Sequence, residues 1–164
     1  MLTNEIINAL QAQYNKERQN AVLYESLAAC FAYMNLEGFE KFMHAQAAEE
    51  TGHARKFFDY LNELGQRPQP GPLAAVTHEL SAGIFGDTLA MFQMAYAAEV
   101  ENKNALETLA QLADESADQT TEAFLNPLLT DQQSSIHEFE VWLTKLTIAQ
   151  GDGAALLALD GGLQ

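Results

Sequence analysis

Apolar residues recur along this chain at alternating spacings of three and four, the rhythm of an α-helix with one buried face. Four long segments keep it. Roughly 4 to 33 carries Ile7, Leu10, Tyr14, Glu17, Ala21, Tyr24, Ala28 and Phe31 on one stripe. Roughly 38 to 65 gives Phe39, Met43, Gln46, Glu50, His53, Phe57, Tyr60 and Leu64. Roughly 87 to 114 gives Leu89, Phe92, Tyr96, Glu99, Leu106 and Ala110, with Lys103 at the intervening step. Roughly 118 to 149 gives Leu125, Leu128, Gln132, Ser135, Phe139, Trp142, Leu146 and Ala149. Each stripe faces a common core, so the fold class is all-α, a four-helix bundle spanning 4–149.

The links between segments set the topology. Short turns near Asn35-Leu36-Glu37-Gly38 and from Asp114 to Ala117 make antiparallel neighbours. Gly65 ends the second helix as a C-cap, and Pro68, Pro70 and Pro72 follow it. Asp87 is the expected N-cap of the third helix, which leaves a crossover over 66–86. A helix of about 28 residues is about 42 Å long. About twenty extended residues reach about 66 Å. The crossover therefore spans the bundle and leaves helices two and three parallel. Pro127 removes the bond to the Ala123 carbonyl and is expected to kink the fourth helix. After Gly151-Asp152-Gly153, the apolar run 154–159 predicts a short fifth helix that packs on its own domain or on a neighbouring subunit.

Composition narrows the picture. The 164 residues form a single domain, 1–164, with 48% hydrophobic residues, four Pro and ten Gly, which suits a packed globule. The lone Cys30 excludes an intramolecular disulfide and reads as a small buried apolar residue. It also suits a reducing, cytoplasmic compartment. Met1 to Glu5 shows no basic region before an apolar run, so no signal peptide is expected, and no stretch has the length of a membrane span. With 23 acidic side chains against 8 Lys and Arg, the net charge of −15 repels nucleic acid and anionic membranes and attracts cations.

The chemistry lies where the stripes turn polar. Glu17, Glu50 with His53, Glu99, and Gln132 with Ser135 all fall near mid-helix and point inward. In a bundle of near-equal helices they meet at one level. Buried carboxylates gathered there require protons or cations to neutralise them. Carboxylates with one imidazole and one amide suit iron, manganese or zinc. Glu50-Thr51-Gly52-His53 is a Glu-x-x-His pair, which di-iron carboxylate bundles combine with single Glu residues from other helices. A competing reading pairs Glu99 with Lys103, four residues on.

At these residues the chain resembles the non-haem ferritins over essentially its whole length. Glu17 and Tyr24 match the family's first-helix ligand and nearby tyrosine. Glu49, Glu50 and His53 match its Glu-Glu-x-x-His. Tyr96 to Glu99 match the third helix, and Gln132 with Ser135 the fourth, as in catalytic animal chains. The resemblance implies a ferritin-like bundle with a di-iron ferroxidase centre. Glu50 would bridge two irons, with Glu17 and His53 on one, Glu99 and Gln132 on the other. Fe(II) would be oxidised by dioxygen or peroxide, and Fe(III) stored as mineral in a homo-oligomeric shell of twenty-four subunits. Tyr24 would bond a carboxylate and donate an electron. Thr51 stands where a bacterioferritin carries its haem-ligating Met, so no haem is expected. Glu49, Asp131 and Ser135 are the candidates for an auxiliary site, though Ser134 and Ser135 replace the carboxylates that a third iron would need. A non-catalytic storage bundle and a DNA-protecting mini-ferritin remain as alternatives.

Overall fold

The computed structural model describes residues 1–163; Gln164, the last residue of the expected domain, lies outside them. The elements run α1 (Asn4–Tyr33), α2 (Glu37–Glu63), α3 (Gly83–Glu115), α4 (Gln119–Ile148) and α5 (Gly153–Gly161). Their starts and stops follow local chemistry. The Thr3 hydroxyl accepts from Ile6 N at 3.2 Å, and Asp118 and Asp152 cap α4 and α5 in the same manner. At the ends of α1, α2 and α3 the chain turns through left-handed residues, Asn35, Gly65 and Ala117. There Leu36 N reaches Phe31 O, Gln66 N reaches Leu61 O and Asp118 N reaches Ala113 O, which satisfies carbonyls the helices leave open.

Two sequence expectations need correction. Asp87 is not the N-cap of α3, because the helix begins at Gly83 with Ala82 before it. The Asp87 carboxylate instead reaches back to accept from Ser81 N and Ala82 N, both at 3.2 Å, so it satisfies backbone donors from inside the first turns. Cys30 is half-buried rather than buried, packed on the edge of a core cluster. Pro127 lies within an α4 that stays helical from Gln119 to Ile148.

The crossover, residues 64–82, contains no helix and is laced to α1 by amide side chains. Gln11 donates to Arg67 O and accepts from Gln69 N. Asn15 donates to Gln69 O and accepts from Gly71 N at 2.7 Å, and Gln19 both donates to and accepts from Ala74. These residues, four apart, form one row along α1. The crossover therefore runs in the same direction as α1 and carries the chain back up the bundle, which leaves α2 and α3 parallel.

The core has two apolar parts. One gathers Tyr24, Phe31, Phe39, Phe42, Phe92, Phe139 and Trp142 towards the end where α5 docks. The other gathers Ile6, Leu10, Phe57, Leu61, Leu106, Leu125 and Leu128 at the opposite end. Between them lies a buried polar belt: Gln13, Glu17, Asn20, Gln46, Glu50, His53, Glu99, Asn102, Gln132 and Ser135.

Candidate metal centre

The belt is built from mid-helix positions, where every backbone group is already bonded within its helix. Polar side chains there can bond only one another or a ligand. Glu17 comes from α1, Glu50 and His53 from α2, Glu99 from α3 and Gln132 from α4, and none is more than 5% exposed. The sequence reading that they share one level and point inward is what the fold produces.

Three of them form a compact group. Glu17, Glu50 and His53 each present a ligand atom within 4.8 Å of the others. His53 Nδ1 lies 3.9 Å from Glu17 Oε2 and 3.8 Å from Glu50 Oε1. An ion bonded at about 2.0–2.2 Å needs ligand atoms about 3–3.5 Å apart, so a small contraction would close the set. The other ring nitrogen, Nε2, faces Asp131 Oδ2 at 3.8 Å, and Lys56 lies 3.4 Å beyond on the same oxygen. A carboxylate behind the outer nitrogen favours the tautomer that leaves Nδ1 free for a metal.

Glu99 and Gln132 stand as a second, differently bonded pair. The Tyr24 hydroxyl donates to Glu99 Oε1, and Gln132 Nε2 donates to Glu99 Oε2 and to the Glu99 carbonyl, the last at 3.0 Å. The amide nitrogen of Gln132, not its oxygen, therefore faces Glu99. Lys103 pairs with Glu107 at 3.1 Å, so the competing Glu99–Lys103 reading is not realised.

Electrostatics shows what the belt lacks. Burial first, then the neighbouring Glu17 carboxylate, pushes the Glu50 carboxyl up to about 11. Burial raises Glu99 to about 7 even though the bonds from Tyr24 and Gln132 oppose the shift. Burial and the Glu99 carboxylate hold the Tyr24 phenol well above its ordinary range. The lysines near the belt are engaged at the surface, Lys16 with Glu101 and Lys56 with Asp131. Carboxyl groups raised in this way call for a proton or a cation beside them.

The auxiliary candidates do not join the group. Glu49 is exposed. Asp131 sits behind the His53 ring rather than among the inner oxygens. Ser135 is buried, but its hydroxyl donates to the Asp131 carbonyl of its own helix at 3.3 Å.

Sequence reasoning missed three amides. Gln13 donates to Glu17 Oε1 at 2.6 Å and to Asn102 Oδ1 at 2.7 Å. Asn20 donates to Glu50 Oε2 at 3.4 Å. Asn102, fully buried, donates to both Glu17 oxygens (3.2 and 3.4 Å) and to Gln132 Oε1 at 2.9 Å. The signal was present in spacing: Gln13 is four before Glu17, Asn20 three after it, and Asn102 three after Glu99, all on ligand-bearing faces.

Known proteins are similar to this chain in sequence and in fold. The ferritin-like domain model matches residues 7–149. A bacterial non-heme ferritin of Staphylococcus saprophyticus is 31% identical over 156 residues, 95% of this chain and 90% of that protein. One from Escherichia coli O6:H1 is 29% identical over 160 residues, 98% of this chain and 94% of its own. The open-pore ferritin of the hyperthermophilic archaeon Archaeoglobus fulgidus superposes with a TM-score of 0.92 at 30% identity, covering 99% of this chain and 98% of that one.

Proposed function

The chain belongs to the ferritin-like domain family, and from that premise we propose that it is an iron-storage subunit that oxidises Fe(II) within its own bundle. The observation that carries this reading is the buried Glu17–Glu50–His53 group, whose carboxyl groups have, among the described residues, no basic partner but the imidazole. Iron is substrate and cargo here. Glu17, Glu50 and His53 hold one ferrous ion; Glu50, Glu99 and Gln132 hold a second.

Each ferrous ion gives up one electron. Dioxygen takes the pair with two protons to give hydrogen peroxide, or peroxide takes it with two protons to give two waters. The chain's own groups prepare this step. Glu50 releases its proton as iron arrives, because two cations replace the proton's role. Asp131 places negative charge behind the His53 ring, and Tyr24 holds Glu99 while standing close enough to serve as an electron donor. Neutral Gln132 and a limited number of carboxylates leave the ferric pair under-neutralised, which favours passage onward to a mineral.

The mineral requires a closed homo-oligomeric shell, for which twenty-four subunits and a cytoplasmic setting are proposed. Among the described residues no helix is long and apolar enough to cross a membrane. Ile148 (82% exposed) and Leu157 (58% exposed) present apolar surface around α5 that a neighbouring subunit would cover. The helix-free crossover and the intrachain ligand set oppose a DNA-protecting mini-ferritin.

The test is an anaerobic Fe(II) soak read by anomalous scattering, paired with an Fe(II)-oxidation assay of wild type and Glu50→Ala. Iron is expected between Glu17, Glu50 and His53, with oxidation falling on the order of a hundredfold in the variant. Iron bound elsewhere, or oxidation indifferent to Glu50, overturns the reading.

A further inference from the structure

We propose that Asn102 is a positioning residue that fixes the amide polarity of Gln132, holding it as a hydrogen-bond donor to Glu99 and keeping the second iron position weaker than the first. This rests on the two-position reading above and adds a residue and a physical cause to it.

The polarity of the belt can be followed atom by atom. An ionised carboxylate only accepts hydrogen bonds, and an amide has one accepting and one donating end. Gln13 and Asn102 both turn their NH2 groups to Glu17. The Asn102 oxygen is occupied by Gln13 Nε2 at 2.7 Å, which blocks Asn102 from turning over. Its second N–H therefore points at Gln132, and Gln132 answers with Oε1 at 2.9 Å. The opposite end of the same amide, Nε2, is left facing Glu99.

Without iron, both ends of Gln132 are satisfied. With an ion beside Glu99 they are not, because a cation needs the amide oxygen and is repelled by the N–H. Turning Gln132 over would set its NH2 against the NH2 of Asn102, donor against donor in a fully buried place. Orphaning buried donors is costly, so the second ion either lacks its amide ligand or binds only after the amide chain is broken. The Glu17–Glu50–His53 position needs no amide to turn over: Gln13 and Asn102 already donate to the Glu17 oxygens, and a carboxylate oxygen can keep such a bond while it meets an ion. Asn102 thus makes the two positions unequal by a route separate from counting charges.

The experiment uses Co(II), which binds without turnover, titrated into the assembled protein, with both positions read by anomalous diffraction. In wild type the second position is expected to bind at least tenfold more weakly than the first. Asn102→Leu removes the amide at similar volume and frees Gln132 to present its oxygen. The second position should then tighten about tenfold, the size of one net hydrogen bond. In a Gln132→Glu background the side chain has no polarity to set, so adding Asn102→Leu should no longer tighten it. Equal filling in wild type overturns the proposal. So does an unchanged or weaker second position in Asn102→Leu, or the same tightening in both backgrounds. Should Asn102→Leu fail to fold, Asn102→Ala is read by the same criteria. Cobalt absent from the His53 position in wild type would instead sink the iron-site reading itself.

Discussion

Replacing Gly38 by Ala should release α5 from the bundle while leaving the four long helices intact. Gly38 opens α2, where no side chain of the turn caps the exposed N–H groups. The cap comes from the far end of the chain: Asp160, the next-to-last residue of α5, accepts from Phe39 N at 2.8 Å. A Cβ on Gly38 would overlap the Asp160 carbonyl oxygen and lie 2.8 Å from its carbonyl carbon and 3.0 Å from Oδ1. Carbon atoms pack at about 3.5–4.0 Å, so α5 must retreat by roughly 1 Å. That carries the Phe39–Asp160 contact to roughly 3.8 Å, beyond a hydrogen bond. A bond to a charged group is worth about 1.5–3 kcal/mol. Leu156, 1% exposed, is the apolar anchor of α5, and losing its burial costs a further ~1.5–3 kcal/mol. The total is about 3–6 kcal/mol, capped by the docking energy of α5, because the helix can detach before the bundle unfolds. In a chain of this size each kcal/mol shifts Tm by about 2–4 °C, so a fall of about 10 °C is expected. Hydrogen exchange adds a local readout: the Phe39 amide and residues 153–161 should lose protection while Phe57 and Leu128 keep theirs. Protection of Phe39 equal to wild type, with Tm within about 1 °C, would refute the steric reasoning.

Other outcomes follow from the site and the turns. Glu50 and Glu99 have folded values raised above their unfolded ones, so the stability they confer is fully present below about pH 4.5 and is lost as pH rises towards each folded value. For Glu99, moving from 4.5 to about 7 corresponds to about 3 kcal/mol lost by pH 7 and above. The metal-free protein should therefore melt at lower temperature at pH 7.5 than at pH 5, and Zn(II) should narrow the gap; melting curves with and without Zn(II) check this. Calorimetry of Zn(II) binding at pH 7 in buffers of different ionisation enthalpy should show net proton release, and none would contradict a protonated Glu50. Gln132→Ala should slow paired-iron oxidation and deplete mainly the second position, whereas Glu50→Ala should deplete both, as read by anomalous occupancy. Ala117, at φ 49, holds a left-handed conformation that costs an L-residue about 1 kcal/mol or more. Ala117→Gly should raise Tm by a few degrees, and a lower Tm would contradict that.

The bundle was legible because its signal is repeated: a stripe of buried residues over seven or eight turns is hard to produce by any other fold. The ends were less legible. Asp87 has the side chain of an N-cap and serves backbone donors, as an N-cap does, but it does so from inside a helix that Gly83 starts earlier. Nothing in the local spacing distinguishes those two placements. The row Gln11, Asn15 and Gln19 was overlooked because amides on the face away from the stripe look like solvated surface until the crossover backbone is known to lie there. At the site, charge and imidazole mark Glu17, Glu50, His53 and Glu99, whereas Gln13, Asn20 and Asn102 are neutral and their meaning depends on which atom meets which. Polarity of that kind is a property of the assembled belt, not of any one helix.

On the proposed reading, the location of the belt would let iron enter without loosening the fold. Near a helix end, carboxylates would compete with orphan backbone N–H groups for bonding, and an arriving ion would have to undo a cap. Midway along helices of about thirty residues the backbone is closed on itself, so only side-chain bonds must change when iron enters. Apolar clusters above and below, anchored by Phe39, Phe92 and Phe139 at one end and by Phe57 and Leu125 at the other, hold the four helices at fixed spacing. The belt is then free to be locally unfavourable, with crowded buried carboxyl groups and amides strung between them, because the stability lies elsewhere. On the proposed reading, iron binding would exchange protons and amide bonds for metal bonds inside a rigid frame.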